Sequence, residues 1–126
     1  MTQLSLTHHI KKSAQKEAPV IFLLHGYGSD ENDLFSFAGE LPEKYTVISA
    51  KAPYAMQGMG NAWYSINFEA SRGKFSNTEE AITSRELILK FIDECIAEYQ
   101  LDKNHINLLG FSQGGIISYA LALSYP

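Results

Sequence analysis

Ile106-Asn107-Leu108-Leu109-Gly110-Phe111-Ser112-Gln113-Gly114-Gly115 constrains this chain more than any other stretch. An apolar run stops at Gly110, one polar side chain stands at Ser112, and Ile116 to Leu123 has the character of a helix. Gly110-x-Ser112-x-Gly114 between a strand and a helix is the pattern of a nucleophile elbow. A serine on so sharp a turn is crowded by the residues two before and two after it, and only glycine, lacking Cβ, relieves both. The turn lifts the hydroxyl clear of the sheet, and the following helix presents unpaired N–H groups beside it. The plainer alternative is a strand–loop–helix connection that happens to carry a serine; the flanking elements favour the nucleophile.

Upstream, Leu4, Leu6 and His8 alternate with Ser5, Thr7 and His9, a half-buried strand pattern. Pro19-Val20-Ile21-Phe22-Leu23-Leu24 is apolar throughout, as a strand covered on both faces would be. His25-Gly26-Tyr27-Gly28 closes it, and Ser29 to Asp33 opens a helix through Leu34, Phe35 and Phe37. Tyr45 to Ala50 is the next strand. Strands separated by a helix predict a βαβ arrangement and a parallel sheet.

Pro53 to Phe75 is long for a connection, yet it carries Tyr54, Met56, Met59, Trp63, Tyr64, Phe68 and Phe75. So aromatic a segment is not of disordered composition. Tyr64, Ile66 and Phe68 alternate with Ser65 and Asn67, which suggests a short strand or hairpin arm. These residues either seal the sheet or wall an apolar pocket above Ser112, since pockets and cores use the same residue types. Ser76-Asn77-Thr78-Glu79 reads as a capping box that starts a helix running to about Tyr99. Ile82, Leu89, Ile92 and Ile96 share its predicted core face, with Glu86, Lys90, Asp93 and Glu94 turned mostly to solvent.

The 126 residues have room for one domain, and no repeat, linker or low-complexity tract divides them. A net charge of −4, with no basic cluster beyond Lys11-Lys12, argues against nucleic acid as a partner. Met1 to Pro19 has no continuous apolar core, and no segment approaches the length of a membrane span. The single cysteine, Cys95, leaves no internal disulfide framework and reads as a packed thiol. A cytoplasmic enzyme is the expectation.

Attack by a serine oxygen on a carbonyl needs a base for its proton and donors for the oxyanion. One donor is expected from the backbone N–H of Gln113, the residue after the nucleophile. A second is expected from the loop after the earlier buried strand, because parallel strands end on the same face; Tyr27 is the natural donor there. Gly26-x-Gly28 is not half of a dinucleotide fingerprint, since no third glycine stands at position 31.

Leu24-His25-Gly26-Tyr27-Gly28-Ser29-Asp30-Glu31-Asn32-Asp33-Leu34, together with Gly110-Phe111-Ser112-Gln113-Gly114-Gly115, resembles the phospholipase/carboxylesterase family of α/β-hydrolases. That group also contains the acyl-protein thioesterases. The similarity runs from Pro19 to Pro126, and Ala52-Pro53 and Ala62-Trp63-Tyr64 resemble the family's substrate loop. The resemblance implies a mostly parallel sheet with helices on both faces and a small-molecule or lipid ester as substrate, with no metal or cofactor. It makes Ser112 the nucleophile and the N–H groups of Tyr27 and Gln113 the oxyanion hole. His25, Gly26, Gly28, Gly110 and Gly114 would shape the loop and the elbow, and Met59, Trp63 and Tyr64 would contact substrate.

The family order is Ser, then Asp, then His. No Asp, Glu or His follows Ser112, and none of His8, His9, His25 and His105 is placed to act as its base. Residues 1–126 are therefore expected to be the N-terminal portion of a longer hydrolase domain. The strand before the elbow should then have an open apolar edge, and poor solubility or dimerisation through that edge is expected. A serine peptidase or another α/β-hydrolase activity on the same elbow, and a non-catalytic binding protein on a degenerate hydrolase fold, are the alternatives.

Overall fold

The computed structural model describes residues 4–56, 60–64, 66–67, 75–76 and 78–124. Strands β1 (His8–Lys11) and β2 (Val20–Leu24) precede helix α1 (Glu31–Phe35), a 3₁₀ turn at Ala38–Glu40 and β3 (Thr46–Ala50). Two short antiparallel pairs follow, β4 (Tyr54–Ala55) with β5 (Asn61–Ala62), and β6 (Ile66–Asn67) with β7 (Phe75–Ser76). Helix α2 (Thr78–Tyr99), β8 (Ile106–Gly110) and helix α3 (Gln113–Ser124) come last.

β1, β3, β2 and β8 lie in that order in a four-stranded sheet. β2 runs parallel to both β3 and β8, with Leu24 level with Ala50 on one side and Gly110 on the other, while β1 joins β3 antiparallel. The sheet is thus mostly parallel, and helices cover both of its faces. Period-two alternation sorts the side chains. Val20, Phe22 and Leu24 pack with Ile88, Phe91 and Cys95 of α2 and with Ile117 and Leu121 of α3. Leu23 turns the other way, to Val47, Ala38 and the Leu34 and Phe35 side chains of α1. This is why residues 20–24 are apolar without a break: both faces are dry.

Two details depart from the sequence pattern. Leu4 to Thr7 is not strand, and pairing begins at His8; Glu94 of α2 instead accepts from the Ser5 N–H and Oγ–H, both at 2.8 Å. Those bonds hold the Glu94 carboxyl below its ordinary range, the Ser5 backbone N–H contributing most. On α2 the fully buried stripe is Ser84, Ile88, Phe91 and Cys95, whereas Ile82 is 43% exposed. Burial pushes the Cys95 thiol up to about 12, so it packs as a small apolar group. The capping box cannot be followed, because Asn77 lies outside the described residues.

β8 is the outermost strand beyond β2. Leu109 is 47% exposed, and Ile116, Tyr119 and Leu123 of α3 are exposed beside it. A groove of about 830 Å³ runs between α2, β8 and α3, bordered by Ile92, Ile106, Leu108 and Leu121. An open apolar strand edge of this kind is a pairing surface.

Candidate active site

The end of β8 and the start of α3 converge on Ser112, which has φ 54°, one of three described residues other than glycine with positive φ. That left-handed conformation costs a residue with a Cβ about 1–2 kcal/mol. The reason for the glycines on either side is visible in the packing. A Cβ on Gly110 would lie 2.4 Å from the Gly114 backbone, and one on Gly114 only 2.0 Å from the Leu24 carbonyl oxygen. Helix α3 therefore doubles back directly over the ends of β8 and β2, and leaves the Ser112 side chain exposed. The Phe111 carbonyl accepts from the Gly114 N–H, and the Ser112 carbonyl from Ile116, so the bend passes straight into the helix.

Alongside stands the loop after β2, whose end is level with the end of β8. A Cβ on Gly26 would lie 3.4 Å from the Ser112 Cβ and 3.2 Å from the Phe111 ring, so the two loops are in contact. Tyr27 follows immediately, and Gly28, at φ 79°, turns the chain towards α1. Asp30 caps that helix by accepting from the Asn32 N–H. Asn61 braces the loop, its carbonyl accepting from Gly28 and its N–H donating to the Ser29 carbonyl.

His25 is fully buried. Its Nε2 accepts from the Ala52 N–H at 2.9 Å, which leaves the ring proton on Nδ1, 2.8 Å from the Gly26 carbonyl. Burial lowers its pKa below 6.5, and the Gly26 bond and nearby acidic residues only partly oppose this. The imidazole is a neutral brace with both nitrogens engaged. The other histidines are distant. His8 bonds the Leu6 carbonyl and the Tyr99 hydroxyl, and His9 bonds Asn32. Three strand spacings, roughly 14 Å, separate β1 from β8. His105 pairs with Asp102 at 2.6 Å before β8 begins, at the opposite end of the strand from Ser112.

Trp63 and Tyr64, expected on a substrate wall, are 0% and 6% exposed. The Trp63 indole N–H donates to the His25 carbonyl at 2.8 Å, and the two rings lie 5.4 Å apart. Burial raises the Tyr64 phenol above 10. Both rings belong to the buried core, and Trp63 packs against His25 at the base of the loop. Met59 lies outside the described residues. The sequence pattern did not mark the Gln113 side chain, which is buried and bonded to the Trp63-Tyr64 backbone. Its one legible signal was a long amide beside a helix N-terminus, where a solvated side chain is the ordinary outcome. Among the described residues no group of three or more His, Cys, Asp or Glu is placed to hold a metal ion, and no helix is long and apolar enough to cross a membrane.

The profile of the phospholipase/carboxylesterase family matches residues 6–126. "Putative hydrolase MhqD" of Bacillus subtilis is 27% identical over 106 residues, covering 84% of this chain and 50% of that protein. The Bacillus cereus carboxylesterase superposes with a TM-score of 0.78 at 28% identity, over 92% of this chain and 52% of that one. A Mesorhizobium loti carboxylesterase, 22% identical, shares the fold with a TM-score of 0.81 over 100% of this chain and 58% of its own. The chain spans about half the length of the curated relative it matches. With an α/β sheet and an elbow of this geometry, and with a family profile covering it from residue 6 to its last residue, the chain belongs to the phospholipase/carboxylesterase family.

Proposed function

We propose that the whole protein is a serine hydrolase of carboxylic esters that works through an acyl-enzyme on Ser112. The observation that carries this is the exposed, positive-φ serine between two obligatory glycines, in contact with the loop that bears Tyr27. Strain of this kind persists where the surroundings enforce it, and it presents the hydroxyl to solvent. The Ser112 oxygen attacks the ester carbonyl, and its proton passes to a histidine base. The carbonyl oxygen becomes an oxyanion held by the N–H groups of Tyr27 and Gln113; Gln113 is the first residue of α3, where helical N–H groups have no intrahelical acceptor. Collapse expels the alcohol, which takes the proton back, and water then frees the acid by the reverse sequence.

Neither the base nor its orienting carboxylate is found among the described residues around Ser112. In this proposal both are supplied from outside residues 1–126, which form the N-terminal portion of a single hydrolase domain. Small esters, lysophospholipids and acyl thioesters share the chemistry; the family description favours the first two.

The test is covalent labelling of the whole protein by a fluorophosphonate. One adduct on Ser112, absent in Ser112→Ala, is expected, as is hydrolysis of a short-acyl nitrophenyl ester in preference to a peptide amide. An unlabelled protein with intact fold, behaving as Ser112→Ala does in every assay, would mean a binding protein on a hydrolase scaffold. Preference for the amide would mean a peptidase.

A further inference from the structure

We propose that the side chain of Gln113, acting through Trp63 and His25, is a positioning strut that sets the gap between the Ser112 elbow and the Tyr27 loop. It would thereby set the width of the oxyanion hole. This rests on the hydrolase reading of Ser112 and adds a residue role to it.

The two proposed oxyanion donors sit on different elements, the start of α3 and the loop after β2. Their backbones meet directly at Gly26, against Phe111 and Ser112, and at Gly114, against the Leu24 and His25 carbonyls, and neither glycine carries a side chain that could lock them. Beneath them runs a continuous buried chain of hydrogen bonds. The Gln113 Oε1 accepts from the Trp63 N–H at 2.8 Å and from the Tyr64 N–H at 3.4 Å, while Nε2 donates to the Tyr64 carbonyl at 2.7 Å. The Trp63 indole N–H then donates to the His25 carbonyl at 2.8 Å. The His25 ring, bonded to the Gly26 carbonyl and the Ala52 N–H, ties the Gly26–Tyr27 peptide of the loop to the segment after β3. Ser84 of α2 donates to the Trp63 carbonyl, so the middle of the chain is anchored to a third element. Trp63 thus has its N–H, its C=O and its indole N–H each assigned to a different part of the molecule.

The pattern demands a carboxamide. One end of the 113 side chain must accept from two N–H groups, and the other must donate to a carbonyl. A carboxylate supplies only acceptors and would set an oxygen against the Tyr64 carbonyl. A carboxylic acid, protonated, supplies both. Among the described residues, the titratable groups facing this position are the Tyr64 phenol, which hydrogen-bonds the Gln113 side chain, and, across Trp63, His25. Burial disfavours the charged form of each, so neither offers a charge to a new carboxylate.

Gln113→Glu in the whole protein carries this distinction into kinetics. At pH 8 kcat should fall about 10- to 100-fold, as for a misplacement of reacting groups on the order of 1 Å, with KM within about threefold. As the pH is lowered towards 6 the ratio of variant to wild-type kcat should climb, because a buried carboxyl regains its proton at a raised pH and restores the donor. Trp63→Phe, which removes the indole N–H, should lower kcat with KM unchanged and with no recovery at low pH. A pH-independent ratio for Gln113→Glu, losses confined to KM, or wild-type kcat in Trp63→Phe would overturn the strut. Should Gln113→Glu not fold, Trp63→Phe decides alone. Fluorophosphonate labelling separates the two readings. An unlabelled wild-type protein removes the hydrolase reading and the strut together; normal labelling with variants that match wild type removes the strut alone.

Discussion

At φ 54° Ser112 holds a conformation that glycine would adopt freely, and its exposed side chain makes no core contact that could repay the strain. Ser112→Gly should therefore raise the stability of the whole protein while abolishing its covalent labelling. The relief of about 1–2 kcal/mol, less the roughly 0.5–1 kcal/mol of extra chain entropy that glycine loses, leaves a gain of about 1 kcal/mol, to be read from thermal unfolding. The neighbouring glycines behave differently. Gly114→Ala drives a methyl to within 2.0 Å of the Leu24 oxygen and should cost at least about 3 kcal/mol or prevent folding. Gly115→Ala meets nothing closer than 3.4 Å and should be neutral or stabilising by up to about 1 kcal/mol. His25 adds a pH dependence of definite sign. Its folded pKa lies below the unfolded 6.5, so its neutral form stabilises fully above that value. As pH falls from 6.5 through the folded pKa, the unfolded chain binds a proton that the native state refuses, and stability drops. Urea titrations from pH 7.5 to 5 should show that slope, and His25→Gln should lack it.

At the scale of elements, α2 shows what a sequence pattern captures and what it misplaces. Its length and its amphipathic character were legible, but the buried stripe passes through Ser84, Ile88, Phe91 and Cys95 rather than Ile82. An apolar residue at the first turns of a helix can satisfy the period without facing the core, because the period does not reveal which neighbours the helix meets. Phe91→Ala should thus cost about 3–5 kcal/mol, whereas Ile82→Ala should stay within about 1 kcal/mol, measured by denaturant unfolding. The start of β1 has the same explanation. Leu4 to His9 alternates like a strand, yet the register with β3 ends at His8 opposite Ala50; beyond it the Thr7 carbonyl accepts from the Lys51 N–H and Glu94 takes the Ser5 amide.

At the scale of the molecule, the open side of β8 should govern how residues 1–126 behave by themselves. Ile106 and Leu109 on the strand and Tyr119 and Leu123 on α3 expose apolar surface around an edge that is unpaired among the described residues. Residues 1–126 expressed alone should self-associate, and Leu109→Lys with Tyr119→Lys should shift sedimentation towards the monomer. A monodisperse, cooperatively melting wild-type chain of these residues would contradict this. The tight turn at Ser112, the run at 20–24 and the mostly parallel sheet were readable in the sequence because each rests on local sterics or on strand patterning. Chain order also set aside every histidine as the base for Ser112, since all four precede it. That His25 is a buried neutral brace, that the Trp63 indole bonds the His25 carbonyl, and that Gln113 turns inward were decided only by tertiary structure. These roles depend on which carbonyls and amides from distant segments reach the same dry space, and no spacing along one chain encodes that meeting.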